Sequence, residues 1–174
     1  ALSWRENGAA LVWAVVILVV CARVFLYPTR QTVWHDYGDA GRAWIASDDV
    51  YKLDRGDGVV RAMSGFRYAP IVSVFLAPFS VLPDSYANVL WRLFGIVFFL
   101  GGLWCCVREC SLACNLTGRQ TATMWLLIMP LTLPSLNNGQ ANVLLMGLLL
   151  TAGAAVAKER WSIAAGFLAG AFLL

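Results

Sequence analysis

Charge is what this sequence has least of. Of its 174 residues, 13% are Asp, Glu, Lys or Arg, about half the share of a soluble domain. Hydrophobic residues make up 60%, and mean hydropathy is +0.69. That balance excludes an ordinary soluble enzyme. Apolar runs near bilayer thickness recur, so the expected class is an all-α, polytopic integral membrane protein. There is a single histidine, His35, and no carboxylate–histidine spacing that would suggest a metal site, so no metal is expected. No glycine-rich motif that would cradle a phosphate is present. The net charge of +3 comes from scattered basic residues, which speaks against a nucleic-acid partner. Four of the five cysteines, Cys105, Cys106, Cys110 and Cys114, gather at the end of one apolar run. Their spacing is poor for zinc, and they read as small buried hydrophobes.

What charge there is lies mostly in one place. Twelve of the 23 charged residues fall between Pro28 and Arg67. This polar stretch interrupts a sequence otherwise suited to a bilayer, and the chemistry is expected there. Within it, Asp39 to Ser47 reads as a short amphipathic helix with Tyr37, Ala40 and Trp44 on one face. That face would lie on the membrane with Trp44 at headgroup depth. Gly56-Asp57-Gly58 reads as a turn.

The expected spans are 9–27, 86–107, 121–136, 143–157 and 161–174, with the third broken by Pro130 and Pro134. The run from Tyr68 to Leu82 holds about 15 residues, with Pro70 and Pro78 inside it and Pro83 at its end, against roughly 20 residues for an upright crossing. It is expected to stay on one side, so that residues 28–85 form one long extracytoplasmic loop. Arg5, the Arg108/Arg119 loop and Lys158/Arg160 then all face the cytoplasm, as the positive-inside rule asks. That side puts the Asn115-Leu116-Thr117 sequon out of reach of glycosylation. The polar turn Asn137–Asn142 shares the other side with the long loop. The apolar run that ends the sequence is too short to span alone, and the chain reads as the N-terminal part of a longer protein.

The order and spacing of several short motifs are telling. They are Asp36-Tyr37 followed by Ala40, Ala43 and Trp44; Val50-Tyr51; Phe66-x-Tyr68-x-Pro70; Ala77-Pro78; Leu82-Pro83; Ala87 and Trp91; and Gly139-Gln140-x-Asn142. Together they resemble the polyprenol-phosphate-mannose-dependent mannosyltransferases of glycosyltransferase family 87, in the GT-C superfamily. The resemblance implies a lipid-linked sugar donor, with mannose as the sugar, and an inverting transfer to a glycan or glycolipid hydroxyl. It also implies an active site outside the cytoplasm, in a bacterial plasma membrane. It calls for no cofactor. The missing phosphate-cradling motif agrees with a donor that is not a nucleotide sugar.

Such a transfer needs a base at the acceptor hydroxyl and positive charge at the leaving phosphate. By resemblance the base is Asp36, and the structural alternative is that Asp36 caps the loop helix. For Asp39 capping is the expected role. His35 would orient the acceptor or shuttle a proton. Arg92, near the outer end of a span, would hold the leaving phosphate, with Arg67 a weaker candidate because nearby acids could pair with it. Tyr37 and Tyr68 would line the site. Gln140 and Asn142 would bind sugar or phosphate, or else satisfy a helix end. Two other classes compete. A transporter would show ionisable residues at mid-bilayer, where this chain has almost none. A membrane scaffold would tolerate replacement of Asp36.

Overall fold

The computed structural model describes residues 4–28, 32–54, 60–62, 66–109 and 116–174. Its helices are α1 (Trp4–Leu26), α2 (Trp34–Ile45), α3 (Pro70–Ser80), α4 (Asp84–Glu109), α5 (Gly118–Asn138), α6 (Asn142–Ala157) and α7 (Trp161–Leu173). A small antiparallel hairpin, β1 (Lys52–Asp54) with β2 (Val60–Ala62), lies between α2 and α3. The sequence reading did not include this hairpin. The Gly56–Gly58 turn, Cys110, Cys114 and Asn115 of the sequon lie outside the described residues.

Two of the described helical stretches, Glu6–Leu26 and Asp84–Glu109, are long and apolar enough to cross a membrane. Many large side chains face outward, Leu131 at 80% and Phe172 at 90% exposure among them. Water would oppose such a surface, whereas lipid tails accept it. α3 has 11 residues, which at ~1.5 Å each gives roughly half a bilayer core. Pro70 takes its first turn, where a missing N–H costs nothing.

α4 is the central helix, flanked by α6 on one side and α1 on another. α4 and α6 meet backbone to backbone at glycines. A Cβ added at Gly147 would lie 2.5 Å from the Phe98 carbonyl carbon and the Phe99 nitrogen. Small residues at such a crossing let the helices close and gain van der Waals contact. α1 is fixed to the bundle by Trp13, whose indole N–H donates to the Trp125 carbonyl at 3.0 Å.

Two expectations need correction. α5 runs unbroken from Gly118 to Asn138 through Pro130 and Pro134, where a break was expected. Its start is set by Thr117 and Gln120, which form a reciprocal capping box. Its end is set by Gly139 in the left-handed region, φ 73°. Second, the loop helix starts at Trp34, not Asp39. Its Tyr37 and Ala40 face does not lie on a surface: both residues are buried with Trp34, Gly38 and Gly41. α2 packs chiefly on α3, so closely that a Cβ at Gly41 would come within 2.8 Å of the Ser80 hydroxyl. Trp44 alone of that expected face is exposed.

Candidate active site

The start of α2 is built by tertiary contacts. Val33, its N-cap residue, offers no side-chain cap. Instead the Val33 N–H donates to the Asn138 carbonyl at 3.0 Å, and the Trp34 N–H donates to the Thr32 hydroxyl at 3.1 Å. These bonds take two of the donors that a helix start leaves unpaired. They also bring the polar loop directly onto the turn that joins α5 to α6. The buried Trp34 ring packs on Trp91, with centroids 6.4 Å apart.

Asp36 therefore lies in the first turn of α2 and does not cap it. The two carboxylates of this helix differ in their commitments. Asp39 accepts from the Arg42 guanidinium at 2.7 Å, and Arg42 also reaches Asp84, at the start of α4, at 3.3 Å. Both pairs are partly solvated and contribute less than about 1 kcal/mol each, and only the one to Asp84 ties α2 to α4. Asp36 has no hydrogen-bond or ion-pair partner among the described residues. Burial raises its pKa above the ordinary carboxylate value, the nearby charge of Asp39 raises it further, and His35 opposes both. A raised pKa makes a carboxylate a stronger base. His35 is half-buried beside it.

The next residue, Tyr37, crosses to the α5–α6 turn. Its hydroxyl lies 3.4 Å from the Ala141 N–H, which donates to it, and 2.9 Å from the Tyr68 hydroxyl. The Tyr37 ring stands edge-on to both Tyr68 and Trp91. The turn itself is stabilised locally. The Gly139 N–H donates to the Leu136 carbonyl and the Gln140 N–H to the Ser135 carbonyl, a pattern that only a left-handed residue at 139 allows. The Gln140 side-chain oxygen accepts from the Ser135 hydroxyl at 3.1 Å and from the Asn142 amide at 3.3 Å. Asn142 is exposed and Gln140 half-buried.

Arg92 is placed differently from its expected role. It is 2% exposed. One guanidinium nitrogen donates to the Asn88 carbonyl and side-chain oxygen, and the other donates to Asn137 O at 2.8 Å and Thr32 Oγ1 at 3.2 Å. The space around it, shared with Gln140 and Gly139, amounts to ≈ 10 Å³, about one water. In this arrangement Arg92 ties α4 to Thr32 and to the end of α5. Arg67 is exposed, and among the described residues it has no ion-pair partner.

The structure thus gathers Tyr37, Tyr68, Arg92, Gln140 and Asn142 around one turn, with Asp36 and His35 on the helix that docks there. Sequence reasoning missed Asn88, which is fully buried and links Arg92, Thr32 and the Pro28 carbonyl. Its position four residues before Arg92 was the available signal. Sequence reasoning gave no site role to Trp34, nor to Trp91, which it named only as part of a motif. The indole of Trp91 donates to the Gly139 carbonyl at 2.8 Å. Beside this cluster runs an apolar cavity of about 310 Å³ between α3, α4, α6 and α7, lined by Phe75, Phe94, Phe98 and Phe167 among others.

No curated protein and no solved structure matches the chain. The model of glycosyltransferase family 87 matches residues 66–174. That match takes in Tyr68, Arg92, the Gly139–Asn142 turn and every helix from α3 onward, well over half of the sequence, and begins after Asp36 and Tyr37. The chain belongs to glycosyltransferase family 87.

Proposed function

We propose that this glycosyltransferase moves a sugar, mannose, from a polyprenyl-phosphate donor to an acceptor hydroxyl of a glycan or glycolipid. The acceptor oxygen attacks the anomeric carbon, its proton passes to Asp36, and the bond from that carbon to the phosphate oxygen breaks with inversion. Polyprenyl phosphate leaves with the bonding pair. The observation that carries this reading is the uncommitted Asp36 carboxylate, with its raised pKa, on a helix docked against the amide turn. The resemblance of the Asp36-Tyr37 motif to mannose-transferring members of the family supports the choice of base and sugar. The large apolar cavity beside the cluster suits a lipid-linked donor.

Arg67 is the better candidate for the leaving phosphate, and Arg92 becomes a positioning residue for the turn. This order, the reverse of the sequence expectation, is supported by the exposure of Arg67 and by the internal acceptors already bound to Arg92. His35, Tyr37, Tyr68, Gln140 and Asn142 complete the proposed site.

The chain is further proposed to belong to a GT-C transmembrane domain in a bacterial plasma membrane, with the site outside the cytoplasm. α2, the start of α4 and the α5–α6 turn share one end of the bundle. Arg108 and Arg119 lie in the opposite end turns of α4 and α5, and Lys158 and Arg160 lie between α6 and α7, which fits the positive-inside rule. The competing transporter reading gains nothing from the family match.

Replacing Asp36 with Asn in the membrane-inserted protein, assayed with polyprenyl-phosphate mannose, tests the mechanism. Turnover is expected to fall by at least about 100-fold, the usual contribution of a general base. Unchanged product formation would remove Asp36 from the reaction.

A further inference from the structure

The hydrogen bonds at Tyr37 have a direction. The backbone N–H of Ala141 is a donor only, so the Tyr37 oxygen accepts from it. Tyr37 is 4% exposed, and leaving its own buried hydroxyl proton unpaired would cost about 1–3 kcal/mol. The acceptor at hand is the Tyr68 hydroxyl oxygen, 2.9 Å away. Tyr37 therefore donates to Tyr68, and the Tyr68 proton is turned away from Tyr37. Tyr68 is only half-buried, so its proton points out of the cluster.

The Tyr68 side chain is also held in place. Its ring is clasped edge-on by Tyr37 at 5.6 Å and packs on Phe66 at 5.8 Å. Its backbone carbonyl accepts from the Tyr51 hydroxyl at 2.8 Å. A donor with ring, backbone and acceptor side all fixed is preorganised for an oxygen arriving from outside.

We infer that Tyr68 donates its hydroxyl proton to an oxygen of the sugar donor, and that Tyr37 is a positioning residue that relays the Ala141 N–H to set the direction of that bond. This rests on the donor class proposed above but not on Asp36 being the base. The oxygen belongs either to the phosphate or to a sugar hydroxyl.

Binding to the protein in lipid nanodiscs, followed by intrinsic tryptophan fluorescence, separates these sources, with polyprenyl phosphate and polyprenyl-phosphate mannose as probes. Tyr68→Phe keeps the ring packing and removes only the proton and oxygen. It is expected to weaken binding at least about fivefold. Loss with both probes assigns the phosphate, and loss with the mannosylated probe alone assigns the sugar. Tyr37→Phe should weaken binding in the same direction. The double variant should be no weaker than the worse single one, because both act through one bond. A purely structural role for Tyr37 would give additive losses, and additivity overturns the relay. Unchanged affinity of Tyr68→Phe for both probes overturns the whole inference. Asp36→Asn should bind both probes normally, which keeps this test separate from that of the base.

Discussion

Gly139→Ala should be among the most damaging single-methyl additions in this protein. Gly139 has φ 73°, where an L side chain costs about 1–2 kcal/mol. The added Cβ would also lie 2.8–2.9 Å from three atoms of the Arg92 guanidinium. That group cannot swing away freely, because it is bonded to Asn88, Thr32 and Asn137. Moving it sacrifices at least one charge-assisted bond, about 1.5–3 kcal/mol. The expected loss is roughly 2.5–5 kcal/mol, the sum of these two contributions. Equilibrium unfolding in mixed micelles, read by tryptophan fluorescence, measures it, and Trp91 is a local reporter because its indole bonds the Gly139 carbonyl. Gly153→Ala is the control. A Cβ there meets nothing within 4 Å, so its effect should stay within about 1 kcal/mol. In an Arg92→Met background the cost of Gly139→Ala should drop toward the backbone contribution alone. A loss below about 1 kcal/mol in the wild-type background would refute the packing argument. An undiminished loss in the Arg92→Met background would remove Arg92 from it.

The direction of the Asp36 shift makes two further predictions. If Asp36 is the base, kcat/KM should fall as pH drops through a pKa above the ordinary carboxylate value of about 3.9; an acid limb at or below that value would count against Asp36. Because folding raises this pKa, the folded state holds the proton more tightly than the unfolded chain, so ionised Asp36 costs stability at neutral pH and that cost disappears as pH falls. Asp36→Asn should therefore lose turnover while unfolding at no lower temperature than wild type, as a thermal melt would show. Gly147→Ala should destabilise by several kcal/mol and loosen α4 from α6, since its Cβ would strike the Phe98–Phe99 backbone; a melting temperature equal to that of Gly153→Ala would contradict the close crossing.

Several features of this protein are local and could be read from the chain. Long apolar runs give α1 and α4 because a helix satisfies its own backbone where water is absent. Thr117 and Gln120 start α5, and Gly139 ends it, through contacts within a few residues. Other features depended on partners distant in sequence. α2 begins five residues before its apolar periodicity suggests, because Asn138 and Thr32 take up its first N–H groups. Pro130 and Pro134 do not end α5, although their local signal is to break a helix. Arg92 looked available to a ligand until Asn88, Thr32 and Asn137 were seen around it, and only the family resemblance set Asp36 apart from Asp39 until Arg42 was seen to pair with Asp39. Residue type and spacing set which groups are able to ionise or donate, but only the packed fold decides which of them still lack a partner, and those are the groups left to meet a substrate.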